Sequence, residues 1–403
     1  MKTTIVIFGN VSKKKGASIS FFNYQVIQFF ALKDALYKVY CLDSDVSVSD
    51  AIYNHVEKFS GTYKSRVYYI LSTIVSKVIP SISSRHIMEW FFDLHVKGKL
   101  KKGKSNLLIN LKATVPNTCK KAKKISMPVV SLVTISHPEF IYEQIKKIIA
   151  LYGLEENSPY TNKAWREWYI RGLFESDSII FRLASDYVKE TYTDRAFDTN
   201  KIIWISNNNG VDIDKFKLKA SYSTECIVFL AIGGATLKKG IPLLLEAWKA
   251  LDKEYYNKAK LLIVDSIENE NNKRLLQTGY VFESISFLQY SNEIEQVYQN
   301  ADVFVAPTIA DLGPRTVTEA MTVGLPCIVS NQCGMSEWIN DGVCGFVYSP
   351  FDILSLKEKL EFFIDNPDKI AEFGKEARKV ALGFDTDRFS EELFNICQNK
   401  LIL

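Results

Sequence analysis

Apolar residues along the chain fall into short, almost unbroken runs and longer stretches with helical spacing, and the two kinds alternate. "TTIVIFG" (3–9) is apolar enough for a strand covered on both faces. A loop rich in Lys then reaches Gly16, and "SISFFNYQVIQFFALKDALY" (18–37) has helical spacing before a second strand, "KVYCLD". This order predicts a βαβ start. Further along come the strand "SNLLIN" (105–110), the helix "NTCKKAKKI" (117–125), the strand "MPVVSLVTI" (127–135), and two more strands, "SDSIIFRLA" (176–184) and "KIIWISN" (201–207). The six strands fit one parallel sheet covered by helices.

A turn-rich passage, "NNNGVDIDKF" (207–216), separates this half from a second alternation of the same kind. The second half reads "CIVFLAIGG" (226–234), the helix "IPLLLEAWKALD" (241–252), "AKLLIVD" (259–265), "VYQNADVFVAP" (297–307) and "GFVYSP" (345–350). The expected fold class is α/β, with two Rossmann-like, doubly wound parallel-sheet domains facing a cleft. Residues 1–206 form the first domain, 207–216 the linker and 217–385 the second domain. The helix in 386–403 crosses back to the first domain. Ligands of such sheets sit outside the carboxyl ends of the strands, so the loops there are the places to look for chemistry.

Composition narrows the functions. The 403 residues exceed what one hydrophobic core usually serves, which agrees with two domains. Fifty Lys and Arg against 46 Asp and Glu leave a net charge of +4, too small for a dedicated nucleic-acid binder. The seven cysteines are odd in number and scattered, with no Cys-x-x-Cys, which fits a reducing, cytoplasmic compartment. "MKTTIVIFGN" reads as a first strand rather than a signal peptide. "VYYILSTIVSKVIP" (67–80) contains Lys77 and is shorter than the roughly 20 residues of a membrane helix.

The densest candidate chemistry lies in "DLGPRTVTEAMTVGLPCIVSNQCG" (311–334). A buried strand leads into a loop, and Pro314 suits the first position of the helix that follows, because its missing N–H would go unpaired there anyway. Backbone N–H groups of Arg315 and Thr316 then suit a phosphate, and Gly313 permits close approach. Glu319, about one turn in, can accept two hydrogen bonds from neighbouring hydroxyls such as those of a ribose. Asp311 reaches the other side of the phosphate, where a sugar would hang. The spacing suits a nucleotide sugar.

These residues resemble the signature of glycosyltransferase family 4 (group 1), retaining enzymes of the GT-B fold. That signature has two acidic residues eight positions apart, then Ala-Met, Gly-x-Pro and a Gly-rich return, matched here by Asp311, Glu319, "EAM", Gly324, Pro326 and Gly334. "DLGP" is similar to a branch with Asp-x-Gly-Pro at the start of the motif. "NNNGVDIDKF", "ADVFVAPT", "GGATLKKGIPLLLEAW" and "AKKISMPVVSLVTISHPEF" extend the likeness, which is weakest over residues 50–104. Residue by residue, the resemblance implies ribose binding by Glu319, donor-sugar contact by Asp311, diphosphate binding by Lys239 beside Lys238, backbone approach at Gly16, and a place near the transferred sugar for His137. It implies catalytic parts for His137, Asp311 and Lys239. One position departs. The family usually has Arg five residues before the phosphate Lys, where this chain has Gly234; Arg315 is the candidate replacement cation.

The expected function is retaining, metal-independent transfer of a sugar from a UDP- or GDP-sugar to a glycan or lipid-linked acceptor, with no cofactor. A non-catalytic subunit supporting a partner enzyme is the alternative, since Gly234 removes a phosphate ligand. A nicotinamide dehydrogenase would need Gly-x-Gly-x-x-Gly, and "GNVSKKKGAS" has none. Asp43 and Asp45 in "DSD" could bind a divalent metal, but they sit in a polar loop, and no metal site is expected. The basic, aromatic stretch 89–106, with His95, Lys97, Lys99, Lys101, Lys102, Lys104 and nearby Arg85, suggests peripheral contact with an anionic membrane at the inner face.

Overall fold

A computed structural model describes residues 1–13, 18–78, 83–156, 158–183, 185–193, 195, 198–205, 210–233, 236–265, 271, 274, 283–289, 293–384 and 386–399. Gly16, Gly234, and residues 207–209 of the expected linker lie outside the described residues.

The first half contributes β1 (Thr3–Val11), β2 (Leu36–Ser44), β3 (Val56–Lys58), β4 (Leu107–Asn110), β5 (Val129–Val133), β6 (Ser178–Phe181) and β7 (Ile202–Trp204). They form one sheet in the order β3-β2-β1-β4-β5-β6-β7, and every pair is parallel. The second half contributes β8 (Ile227–Ile232), β9 (Ala259–Val264), β10 (Ile285–Leu288), β11 (Val303–Ala306), β12 (Cys327–Ser330) and β13 (Gly345–Tyr348). Their order is β10-β9-β8-β11-β12-β13, again all parallel. The strand order reverses once in each sheet, between β1 and β4 in the first and between β8 and β11 in the second. Those reversals open the crevices where doubly wound sheets take ligands.

Burial explains the strands. β4, β5, β6, β11 and β12 are buried at every position, as parallel strands with helices on both faces must be. The sequence gives six strands for the first sheet; the seventh, β3, is three residues at the edge with no apolar run to announce it. The first helix, Ser18–Leu32, ends five residues short of the expected Tyr37. Asp34 adopts φ 50°, a left-handed turn that Asp tolerates and that lets β2 begin at Leu36.

The last helix, Thr386–Asn399, packs on the first. Phe389 lies 5.2 Å from Phe22 and Phe394 5.3 Å from Phe30, centroid to centroid, and both helices share one buried core with β1 and β2. A second core runs between the halves: Ile141, Ile145 and Ile148 of the helix Pro138–Tyr152 pack with Leu237 and Ile241.

Candidate functional site

A cavity of ≈ 460 Å³ opens between the two sheets at the carboxyl ends of their strands. Lys238, Lys239, Asp311, Gly313, Pro314, Arg315, Thr316 and Glu319 all line it. Residues 73 positions apart thus meet because β8 and β11 are neighbours and both end at this crevice.

Local geometry sets each side chain. After β8, Leu237–Lys239 forms one tight helical turn, closed by Gly240 at φ 71°. A Cβ at Gly240 would also collide with Pro307 O, so only glycine lets this turn lie against the loop after β11. That loop grips the turn, with Ile309 N and Thr308 Oγ1 donating to Lys238 O at 2.9 and 2.8 Å. On its other side Asp311 pairs with the Gly-rich return: Asp311 N donates to Gln332 O and Gly334 N to Asp311 O. A Cβ at Gly334 would strike Leu312 O.

Charge then organises the cavity. Asp311 Oδ2 accepts from Lys239 Nζ at 2.9 Å and from Lys238 Nζ at 3.4 Å. Burial works against the Asp311 carboxylate, but Lys238, Lys239 and Arg182 outweigh it and hold the group well below the usual carboxylate range. For Lys238 burial opposes the ammonium and Asp311 more than compensates, so it stays charged. Asp311 is therefore first a counter-ion that fixes the two lysines, with any sugar contact added to that.

Pro314 sits at the helix N-cap in an extended conformation (φ −67°, ψ 120°), one residue before the position expected for it, and Arg315–Val323 is the helix. Arg315 and Thr316, the first two residues of the helix, line the cavity, and a helix start leaves its first N–H groups without intrahelical partners. Glu319 is buried; its Oε2 accepts from Tyr298 Oη at 2.9 Å, and Oε1 stands 3.9 Å from Arg315 Nε. Burial raises its pKa, partly offset by Arg315 and the Tyr298 bond. Arg315 lies between Glu319 and the Phe22 ring, 5.8 Å away.

His137 stands apart. It caps the helix Pro138–Tyr152, its Nδ1 accepting from Glu139 N at 3.2 Å, and its ring packs edge-on against Tyr192. Burial, with Arg195 nearby, pulls its pKa down to about 3, so it is a neutral acceptor. It is not among the residues that line the cavity. Asp43 lies at the end of β2 rather than in the expected loop, and the two aspartates serve separate bonds: Ser60 Oγ donates to Asp43, and Ser12 Oγ and Lys13 N donate to Asp45. Among the described residues no cluster of three metal-ligating side chains occurs.

Sequence reasoning missed the opposite wall, where Arg85, Lys112, Tyr160 and Arg182 line the cavity. Arg182 directly follows β6 and its Nη2 donates to Gly313 O at 3.3 Å, a hydrogen bond from the first half to the second. Burial and then Arg315 lower it to about 9, with Asp311 opposing. Its place just beyond a strand's carboxyl end was a usable signal. Of the expected basic stretch, Lys97, Lys101, Lys102 and Lys104 are exposed and Arg85 lines the cavity. Lys99 and His95 face Glu57, at 2.9 and 3.6 Å, while the exposed apolar side chains Tyr69, Ile70 and Ile74 belong to the preceding helix, Tyr63–Val78.

Residues 212–380 match the model of the family described as glycosyl transferases group 1. An uncharacterized glycosyltransferase of Haemophilus influenzae is 26% identical over 205 residues, which are 51% of this chain and 57% of that protein. The capsular polysaccharide biosynthesis glycosyltransferase CapM of Staphylococcus aureus is 26% identical over 48% of this chain and 53% of its own. The match thus spans about half the length of these curated relatives. The crystal structure of Anabaena HepE in complex with UDP superposes with a TM-score of 0.65 at 16% identity, covering 99% of this chain and 100% of that one. The chain has the GT-B fold, and its second half, residues 212–380, carries the pattern of the group 1 glycosyl transferases.

Proposed function

We propose that the chain is a glycosyltransferase of the family 4 branch that moves a sugar, with retention, from a UDP- or GDP-sugar to a glycan or lipid-linked acceptor. The observation that carries the reading is the convergence of Lys238, Lys239 and Arg315 on a helix start at the end of a cavity that also holds Glu319. Cations and first-turn N–H groups stabilise the diphosphate as it leaves. Glu319 suits two ribose hydroxyls. The catalytic part played by this wall is positioning plus charge stabilisation, with Lys239 and Asp311 in the places the resemblance implies. Metal independence is supported by the cationic side chains, which supply charge compensation that a bridging cation would otherwise provide. The relatives named as glycosyltransferases, and a solved neighbour bound to UDP, support the same class of reaction.

Among the described residues no helix is long and apolar enough to cross a membrane. Peripheral contact with an anionic, cytoplasmic membrane face would use the exposed Tyr69, Ile70 and Ile74, with Lys77 at the end of the same helix. Flotation with anionic vesicles tests this: Ile70→Asp with Ile74→Asp should abolish co-flotation, and equal flotation of both proteins would refute it.

The central test is thermal shift with UDP, GDP and ADP, followed by mass spectrometry of nucleotide-sugar turnover with excess EDTA and an NMR assignment of the product anomer. Stabilisation by UDP or GDP and EDTA-resistant turnover with retained configuration are expected. Lack of stabilisation by any nucleotide favours the non-catalytic subunit instead.

A further inference from the structure

Six cationic side chains, Arg85, Lys112, Arg182, Lys238, Lys239 and Arg315, line the cavity against two carboxylates, Asp311 and Glu319, among the described residues. Glu89, buried behind the wall, accepts from Arg85 Nε at 3.1 Å and from Trp165 Nε1 at 2.6 Å, and so offsets one more. Three positive charges are left over. A nucleotide sugar, whose diphosphate is esterified at both ends, brings about two negative charges and leaves one cation uncompensated; only a free terminal phosphate carries a second charge. The donor motif accounts for Lys238, Lys239 and Arg315, so the excess lies on the other wall.

Lys112 stands just beyond β4, at the reversal of the first sheet, where such sheets take ligands. Its Nζ has one hydrogen-bond acceptor among the described residues, Phe8 O at 3.2 Å. Gly9 leaves that ammonium its space, since a Cβ there would stand 2.9 Å from Nζ. Burial and the neighbouring Arg85 depress Lys112 to about 8, with Glu89 opposing, the mark of a cation short of anionic partners. Arg182 is 6% exposed, and its buried Nε has no hydrogen-bond partner. Guanidinium and ammonium donors left unmatched in a cavity suit an oxyanion.

We propose that Arg85, Lys112 and Arg182 form an oxyanion subsite for the acceptor, which takes a phosphoryl or carboxylate group close to the hydroxyl that receives the sugar. The role as an acceptor site rests on the glycosyltransferase reading; the subsite itself does not. An acceptor with a phosphoryl group and one with an acid sugar would offer the same charged oxygens.

The test is calorimetric titration of the full chain, loaded with UDP or GDP, whichever binds, with inorganic phosphate, glucuronate and glucose. Loading occupies the donor side, so remaining anion binding reports this wall. The anions should bind at least about tenfold more tightly than glucose, and Lys112→Gln or Arg85→Gln should each weaken them about tenfold. Nucleotide affinity should stay within about twofold, because neither residue touches the motif helix. Lys112→Arg, which keeps the charge, should retain anion binding, and melting temperatures verify that each variant is folded. Tighter phosphate marks a phosphoryl acceptor and tighter glucuronate an acid sugar. Anions that bind no better than glucose, or a folded Lys112→Gln protein that binds them like the parent, overturn the proposal. If no nucleotide binds, the donor reading fails by itself, and titration of the unloaded parent against Lys112→Gln still decides the subsite.

Discussion

Lys239 Nζ lies 2.9 Å from Asp311 Oδ2, so the first carboxylate of the acidic-pair motif is engaged by the lysine of the other strand-end loop. The pair links the loop after β8 to the loop after β11 and, with Lys238 beside it, gathers two ammonium groups around one largely buried carboxylate. Breaking one side of such a pair leaves a buried charge unmatched.

Asp311→Asn should therefore lower stability by about 3–5 kcal/mol, as when one partner of a buried ion pair is removed. A bound diphosphate would restore the missing anion, so UDP or GDP should raise the melting temperature of this variant by more than that of the parent. Equal shifts would separate Asp311 from the phosphate site. The pH dependence has a definite sign. The folded pKa is depressed, so the contribution of Asp311 is present above its ordinary value of 3.8 and is lost as pH falls toward the folded value.

Glu319 and Tyr298 allow the ribose role to be tested separately from stability. Tyr298→Phe removes a donor to a buried carboxylate and should cost roughly 1.5–3 kcal/mol in unfolding while leaving that carboxylate in place. Glu319→Gln should weaken nucleotide binding by roughly 1.5–3 kcal/mol, the size of hydrogen bonds to a charged group. It should also erase the preference for a nucleotide over its 2′-deoxy form. A variant that keeps this preference would assign ribose recognition elsewhere.

Arg315, which lines the cavity beside Glu319, is the candidate for the cation absent at position 234. Arg315→Ala should weaken nucleotide diphosphate binding by roughly 1.5–3 kcal/mol, and adding Gly234→Arg should recover part of the loss. Titration of both variants checks this, and unchanged affinity in Arg315→Ala would remove Arg315 from the donor site.

The ring nitrogen of His137 caps a helix, which makes it a test of chemistry against structure. Its folded pKa, about 3, lies below the ordinary 6.5, so the unfolded chain takes up the proton first as pH falls. Stability should drop between pH 6.5 and about 3, and His137→Asn, which preserves a capping acceptor, should flatten that part of the curve. The variant should retain turnover; loss of turnover with an unchanged melting temperature would give His137 a direct part in the reaction.

The crossing helix contributes through aromatic packing. Phe389 is fully buried against Phe22, and Phe389→Ala should cost about 3–5 kcal/mol, measured by denaturant unfolding. A cost near that of a surface substitution would mean that the helix is only loosely attached.

By itself the sequence determined the alternation of strands and helices, the two parallel sheets and the block 311–334, because each rests on local rules: apolar periodicity, strand-end loops, and glycines where a Cβ would clash. It named Lys238, Lys239, Arg315 and Glu319, which the fold brings to one cavity. Tertiary structure decided what those residues face. Arg85 from a helix, Lys112 from the end of β4 and Arg182 from the end of β6 lie far apart in the chain and meet only because parallel strands end on the same side. It made Asp311 a counter-ion, set Pro314 one position before its expected place and turned His137 to its own helix. Sequence spacing fixes which residues share an element; contacts between elements depend on strand order and packing, and those arise only when the whole chain is buried together.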